Sequence, residues 1–316
     1  MPLSSCCCCA NQVAHLSHQL FSFARQEFPA HYAFHVLVAD CLDAVAPYLN
    51  ANPFLRQDLT LWQRGDLRQE RLELPNSIKE QLTMKVCLCV TTMGRDEQLK
   101  KALPIAIWLA WAYEEVTLYV VDFNHGDDLE RWVAANLSLP MTCGKLKYYR
   151  CRTMEHWHAS LAKNTVHMAA CRDITDGLTS ADGNTEEELA ILVNLDGDNI
   201  FSPTWLRKLL GTNGRQLGMG LCRVIHYQNV DDSGTYGRMA YLNLDFKEVQ
   251  GYDVSFYPMG CQDTDLKNRL SIGQGNDVMS IKSHNVGVSI PNATRSGDRK
   301  VDKTESDKAR HSVRRC

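Results

Sequence analysis

No run of about 18 consecutive apolar residues occurs in this chain, so no segment reads as a membrane-spanning helix. The richest apolar stretch, "ALPIAIWLAWAY" (102–113), is too short to span and reads as a buried helix. Charge of one sign is nearly balanced by the other: the formal net charge is -3. No global basic field marks nucleic acid as a partner. No internal repeat is visible. No apolar segment follows the N-terminus closely enough to make a secretory signal. What is present is ordinary for a soluble globular protein: 316 residues, 44% hydrophobic and 22% charged. That is enough for one large domain with extensions.

Cysteine, by contrast, is plentiful. There are 13, an odd number at irregular spacings. Free thiols in a reducing compartment, hence a cytoplasmic protein, are the expectation. Four of them, Cys6, Cys7, Cys8 and Cys9, sit together in "MPLSSCCCC". Acylation with peripheral membrane contact, metal binding, and no role at all are the three readings. Firm anchoring by acylation needs a second membrane signal, and none is nearby.

Residues 1–82 read as a helical N-terminal extension. "NQVAHLSHQLFSFARQEF" puts Val13, Leu16, Leu20 and Phe23 on one face at spacings of three and four. Pro29, Pro47, Pro53 and Pro75 punctuate the rest. His15, His18, His31 and His35 have helical pair spacing, but surface or core histidines are far commoner than ligands. From Lys85 the texture changes. "KVCLCVTTMGR", "VTLYVVDFN", "KLKYYRC" and "LAILVNLD" are strand-like, and helical segments separate them, about 96–112, "LERWVAANL" and "HASLAKNTVHMAACRD". Strands alternating with helices predict a mainly parallel central sheet flanked by helices, spanning 83–292. Such sheets bind ligands beyond the carboxyl ends of their strands, where Thr92, Asp122 and Asp196 fall. The polar segment 173–188 reads as an exposed loop. "SPTWLRKLL" has a capping serine and a first-turn proline before a helix. "LCRVIHYQNVDDSGTYGRMAYLNLDF" reads as a hairpin. The tail, 293–316, is basic, almost devoid of apolar residues, and reads as disordered.

Two acidic clusters stand out. In "LAILVNLDGDNIFS" a buried strand runs into Asp196-Gly197-Asp198. Alternation points both carboxylates to one side, where they repel unless a cation lies between them. Carboxylates suit Mg²⁺ or Mn²⁺. A solvated acidic turn explains the same residues, since Asp-Gly is common in turns. The second cluster, Gln262-Asp263-Thr264-Asp265, follows "GYDVSFYPMGC" and opens a helix. A helix start favours carboxylates whatever their role.

Together and in this order, the blocks resemble those of a GT-A fold glycosyltransferase. They are similar to family 2, with a C-terminal segment similar to the family 7 galactosyltransferases. "VCLCVTTMGR" resembles the first nucleotide-binding strand and its loop, bringing Thr91, Thr92 and Arg95 to the donor. "LYVVDFN" resembles the second strand, whose terminal aspartate, Asp122 here, meets the nucleobase or ribose. "SLAKNTVHMAA" is similar to the family's helix start, with Lys163 in an arginine's place and Asn164 matching. "VNLDGDN" matches the DXD metal motif, and "GYDVSFYPMGCQDTDL" resembles the acceptor segment. Two departures are visible: Gln262 stands where a glutamate is usual, and "VDFNHGD" replaces "VDDGS".

The resemblance implies a metal-dependent, inverting transferase of the hexosyltransferase type. It moves a sugar from a nucleotide-sugar donor, a UDP-sugar by expectation, to an acceptor hydroxyl. Asp198 would hold Mn²⁺ or Mg²⁺, helped by Asp196, which lies nearer the donor ribose. His284 would be the third ligand, with His226 as the alternative. Lys163 would add positive charge near the diphosphate. Asp263 would accept the acceptor's proton, with Asp265 capping or pairing with Lys267 or Arg269. Tyr252, Tyr257 and Gln262 would line the acceptor site. Trp157, Trp205 and Phe256 are further aromatic candidates, with core packing favoured for Trp205. Two other functions stay open: a non-catalytic glycosyltransferase-like binding protein, and a sugar-phosphate nucleotidyltransferase. The second usually carries a glycine-rich basic first loop, and "TTMGRDEQ" has only Gly94 and Arg95.

Overall fold

The computed structural model describes residues 84–111, 113–176, 188–230, 237–256, 258–271, 278–284 and 286–290. The N-terminal extension with its histidines and cysteines, the tail, Tyr257 and the hairpin turn at 231–236 lie outside the described residues.

A seven-stranded sheet organises the rest. Its strands are β1 (Lys85–Thr92), β2 (Val116–Asp122), β3 (Leu146–Arg150), β4 (Ala190–Asp196), β6 (Val224–Gln228), β7 (Met239–Leu242) and β8 (Val278–Lys282). The spatial order is β3-β2-β1-β4-β7-β6-β8. Only β7 runs against the others. This is the mainly parallel, helix-flanked α/β sheet that the sequence predicts. A separate two-stranded ribbon pairs β5 (Asn199–Phe201) with β9 (Gly287–Ser289).

Parallel strands covered on both faces read as continuous apolar runs. That is why "VCLCV" and "AILV" are buried residue after residue. On one face, Val86, Leu88, Val90, Leu118, Val120, Ile191 and Val193 pack with helix α1 (Asp96–Trp111). Every residue of that helix from 102 to 110 is buried. On the other face, Cys87, Cys89, Tyr119, Val121 and Leu192 pack with Ala162, Val166, Ala170 and Ile174 of helix α4 (Ala159–Asp176). Each such buried aliphatic side chain contributes about 1.5–3 kcal/mol.

The shorter helices are α2 (Asp128–Asn136), α3 (Ser138–Thr142), α5 (Pro203–Lys208), α6 (Gly214–Gly218), α7 (Asn243–Glu248) and α8 (Gln262–Leu270). Ser202 caps α5, accepting from Trp205 N at 3.0 Å, with Pro203 in the first turn. Two local expectations need correction. Helix α4 continues to Asp176, through residues expected to be loop, because Ile174 extends its buried Val166–Ala170 stripe. The end of the expected hairpin, "NLDF", is helix α7. There Asn243 leaves the sheet plane and its side chain accepts from Ala190 N at 2.9 Å.

Candidate active site

The carboxyl ends of β1, β2 and β4 lie side by side, with Thr92 opposite Asp122 and Thr91 opposite Asp196. In a strand, successive residues face opposite sides. Thr92 and Asp122 therefore belong to the α1 face, and Thr91, Asn194 and Asp196 to the α4 face.

On the α1 face Asp122 is fully buried. Its Oδ1 accepts from Asn124 N at 2.8 Å and Asn124 Nδ2 at 2.6 Å, and its Oδ2 from Tyr148 Oη at 2.6 Å. Asn124 also donates to Asp96 Oδ1 at 2.8 Å and accepts from Gly94 N at 2.7 Å. Burial, with Asp122 adding to it, raises the Asp96 pKa. Asp122 and Asn124 thus tie the loop after β1 to the loop after β2. Sequence reasoning treated Asn124 only as a departure from the usual pattern, and the structure makes it the hub. Thr92 is buried, and its hydroxyl makes no hydrogen bond among the described residues.

On the α4 face three side chains converge. Lys163 donates to Asp263 Oδ1 at 2.5 Å, and its ammonium lies 5.3 Å over the Tyr252 ring. A Cβ on Gly237 would sit 3.1 Å from Asp263 Oδ2, 3.4 Å from Lys163 Nζ and 3.5 Å from Asn194 Nδ2. Asn194 holds that backbone by donating to Gly237 O at 2.6 Å. A side chain there would press on all three groups, most closely on Asp263. Asp196, half-buried at the same strand end, makes no hydrogen bond among the described residues.

The acceptor segment is built around backbone. Asn164 accepts from Tyr252 N and donates to Tyr252 O, both at 2.7 Å. Gly251 at φ +70° brings the chain against Asn164. Tyr252 is 1% exposed, so its ring underlies Lys163 and does not open toward an acceptor. Beneath it His167 is wholly buried, with Nδ1 2.7 Å from Lys163 O and Nε2 2.9 Å from Tyr241 Oη. Burial lowers its pKa to about 4. Gln262 folds back so that Oε1 accepts from Gly260 N at 2.7 Å, which engages the oxygen expected to meet the acceptor. Asp265 pairs with Arg269 at 2.7 Å. Trp205 is core, and Trp157 meets Phe123 edge-on at 6.3 Å.

The expected metal site is not assembled. Among the described residues no three His, Cys, Asp or Glu side chains converge to hold an ion. His284 follows β8, at the far end of the sheet order from β2. His226 is buried within β6. Asp198 is engaged elsewhere: Oδ2 pairs with Arg95 Nη1, and Oδ1 accepts from Asn199 Nδ2 at 3.1 Å. The oxygen donors suit a hard cation, but as arranged they do not present it a cage. Burial lowers the Arg95 pKa, and the neighbouring Asp196 opposes that shift.

No family model and no curated protein matches this chain. Solved structures resemble it at low identity. Mannosyltransferase PcManGT from Pyrobaculum calidifontis, in complex with GDP-Man and Mn²⁺, is 14% identical with a TM-score of 0.48. That match covers 80% of this chain and 70% of the other. S. aureus TarS 1-349 in complex with UDP-GlcNAc is 12% identical with a TM-score of 0.46, covering 69% of this chain and 60% of that one. This chain spans 36% of a longer S. aureus TarS chain. At these scores none carries an argument about what this chain does. Among the described residues no helix is long and apolar enough to cross a membrane.

Proposed function

We propose that this chain is a glycosyltransferase that moves a sugar from a nucleotide-sugar donor, a UDP-sugar first, to an acceptor hydroxyl. The observation that carries the reading is the meeting of Asp263, Lys163 and Asn194 at Gly237, on the same sheet face as Asp196, which makes no hydrogen bond among the described residues. A carboxylate held in place by a cation suits a general base. Asp263 Oδ1 is fixed by Lys163, and Oδ2, which lies against Gly237, would take the proton of an attacking hydroxyl. The hydroxyl oxygen bonds to the anomeric carbon as the carbon–diphosphate bond breaks. One base and no covalent nucleophile give direct displacement with inversion. Asp196 accepts from donor hydroxyls at the strand end. Lys163 and Arg95 would supply positive charge to the departing diphosphate, and electrostatic stabilisation there is the largest expected term. Asp122 and Asn124 shape the loops that hold the nucleoside.

Mn²⁺ or Mg²⁺, when bound, would add charge stabilisation at the diphosphate. Asp198 would hold it, which requires Arg95 to leave. The resemblance in the sequence blocks supports the donor class. The test is hydrolysis or transfer across a panel of nucleotide sugars by the full chain. Asp263→Asn should keep nucleotide binding and lose turnover by about 10²-fold or more, the usual contribution of a positioned base. Turnover at the wild-type rate would place the base elsewhere.

A further inference from the structure

We propose that the N-terminal segment, residues 1–83, docks on an apolar patch at the edge of the sheet opposite the candidate site. The stripe Val13, Leu16, Leu20 and Phe23 is the face that makes the contact. Topology places the patch. β1 begins at Lys85 beside Ala190 of β4, Ile191 pairs with Leu242 at the end of β7, and Tyr241 pairs with Val224 at the start of β6. These four strand ends form one edge, and Thr92, Asp122 and Asp196 close the other. Met219 and Leu221 precede β6 and Leu244 follows β7, so all three fall at the edge away from the site. They are 67%, 61% and 41% exposed, and Met219 and Leu221 are the most exposed large apolar side chains among the described residues. Arg223 Nη2 donates to Asp245 Oδ1 at 2.6 Å, which ties the chain after Leu221 to the start of α7 beside Leu244. A lone exposed apolar residue is ordinary, whereas several gathered at one edge mark an interaction surface.

The occupant follows from where the chain enters. Residues 1–83 lie outside the described residues, which begin at Met84. A Cβ on Gly218 would lie 2.9 Å from Met84 Cε, so Met84 packs on the residue next to Met219. The preceding segment is therefore delivered to the patch. Tethered there, it competes at high effective concentration against any second molecule. Its stripe is apolar on one face only, and a short amphipathic helix is marginal in water until that face is buried. The chain between Phe23 and Met84 is long enough for the stripe to fold back onto Met219 and Leu221. None of this rests on the nucleotide-sugar reading.

The test treats the full chain with dilute hydrogen peroxide and follows each methionine by mass spectrometry, since oxidation tracks exposure. Met168, 51% exposed on α4, is the internal reference. Docking predicts that Met219 oxidises more slowly than Met168 in wild type, although the described domain leaves it the more exposed of the two. Burying one apolar side chain shifts a docking equilibrium roughly 10- to 100-fold. Leu16→Glu/Leu20→Glu should therefore speed Met219 oxidation by about 10-fold or more and leave Met168 unchanged. The reciprocal change, Leu221→Glu, should speed backbone hydrogen exchange across residues 11–28 by a similar factor. Val230→Glu, an exposed position beyond the other end of β6, should not. Circular dichroism shows that each variant is folded. Met219 oxidising as fast as Met168 in wild type overturns the docking. So does protection that persists in Leu16→Glu/Leu20→Glu, or exchange across 11–28 that Leu221→Glu leaves unchanged. Protection that grows with protein concentration, together with a dimeric mass by light scattering, gives the patch to a second copy and overturns the proposal as well.

Discussion

Replacing Lys163 by methionine isolates what the Lys163–Asp263 pair does for the fold. The Lys163 side chain is 6% exposed and that of Asp263 15%. Breaking a buried pair by removing one partner costs about 3–5 kcal/mol, because the other charge stays behind unpaired. Asp263 keeps some contact with solvent, so the lower end, about 3 kcal/mol, applies here. The lost contact with the Tyr252 ring is worth up to about 1 kcal/mol of that total. For a domain of this size, about 3 kcal/mol lowers Tm by roughly 6–12 °C. Methionine is close in length and packs on the same aromatic cluster, so shape alone should cost little. The assay is urea unfolding of wild type, Lys163→Met, Asp263→Leu and the double variant. The double variant should be about 1.5–3 kcal/mol more stable than the sum of the singles predicts, since no buried charge remains unpaired. Additive costs within about 0.5 kcal/mol would show that the two groups do not interact. The structural account of Asp263 would then fail along with its placement as a held base.

Three further outcomes follow from the same geometry. Gly251→Ala should lower stability by about 2–4 kcal/mol, from the left-handed backbone and from overpacking. Its Cβ would lie 2.6 Å from Asn164 Oδ1, and an unchanged urea midpoint would contradict this. His167 has a folded pKa of about 4 against an ordinary 6.5. Its share of stability is therefore full above pH 6.5 and lost as pH falls toward 4, about 3 kcal/mol in all. Unfolding of wild type and His167→Gln across that window should show the flatter profile in the variant, and parallel profiles would refute the buried neutral imidazole. Thr92→Val should be neutral or stabilising by up to about 1 kcal/mol, since it removes a buried hydroxyl that bonds nothing among the described residues. A clear loss of stability would show an unrecognised partner.

Much of the fold is legible in the sequence because burial on both faces leaves a plain record. "VCLCV" and "AILV" could only be interior strands, and "SPTW" announces its helix with a cap and a proline. The end of α4 was hidden by composition. "RDITD" is polar because Arg172 is exposed and Asp173 accepts from Tyr149 Oη at 3.1 Å. Yet Val166, Ala170 and Ile174 recur at intervals of four, and that spacing was the signal to follow. Helix α7 was hidden for a different reason. "YLNLDF" alternates like a strand, but Asn243 uses its side chain to bond the start of β4, and no pairwise pattern announces that.

The candidate site was legible at the level of strand ends and hidden at the level of register. Thr92, Asp122 and Asp196 each close a strand, and the sheet does gather them at one edge. Which face each side chain takes depends on how adjacent strands are staggered, and the lengths of the connections set that stagger. A shift of one residue reverses every side chain of a strand. In the observed register Asp122 sits opposite Thr92 and Asp196 opposite Thr91, one residue out of step. The two aspartates therefore leave the edge in opposite directions. Asp122 goes to Asn124 and Tyr148 and becomes part of the frame. Asp196 goes to the side of Lys163, Asn194 and Asp263, and among the described residues it makes no hydrogen bond there while its charge acts on Arg95. Asp198, two residues on, has already left the strand, so alternation no longer governs it, and Arg95 reaches it from the neighbouring loop. Three acidic residues that look equivalent in the sequence thus face three different environments. Among the described residues Asp196 alone of the three makes no hydrogen bond, so a donor hydroxyl could reach it without one being broken.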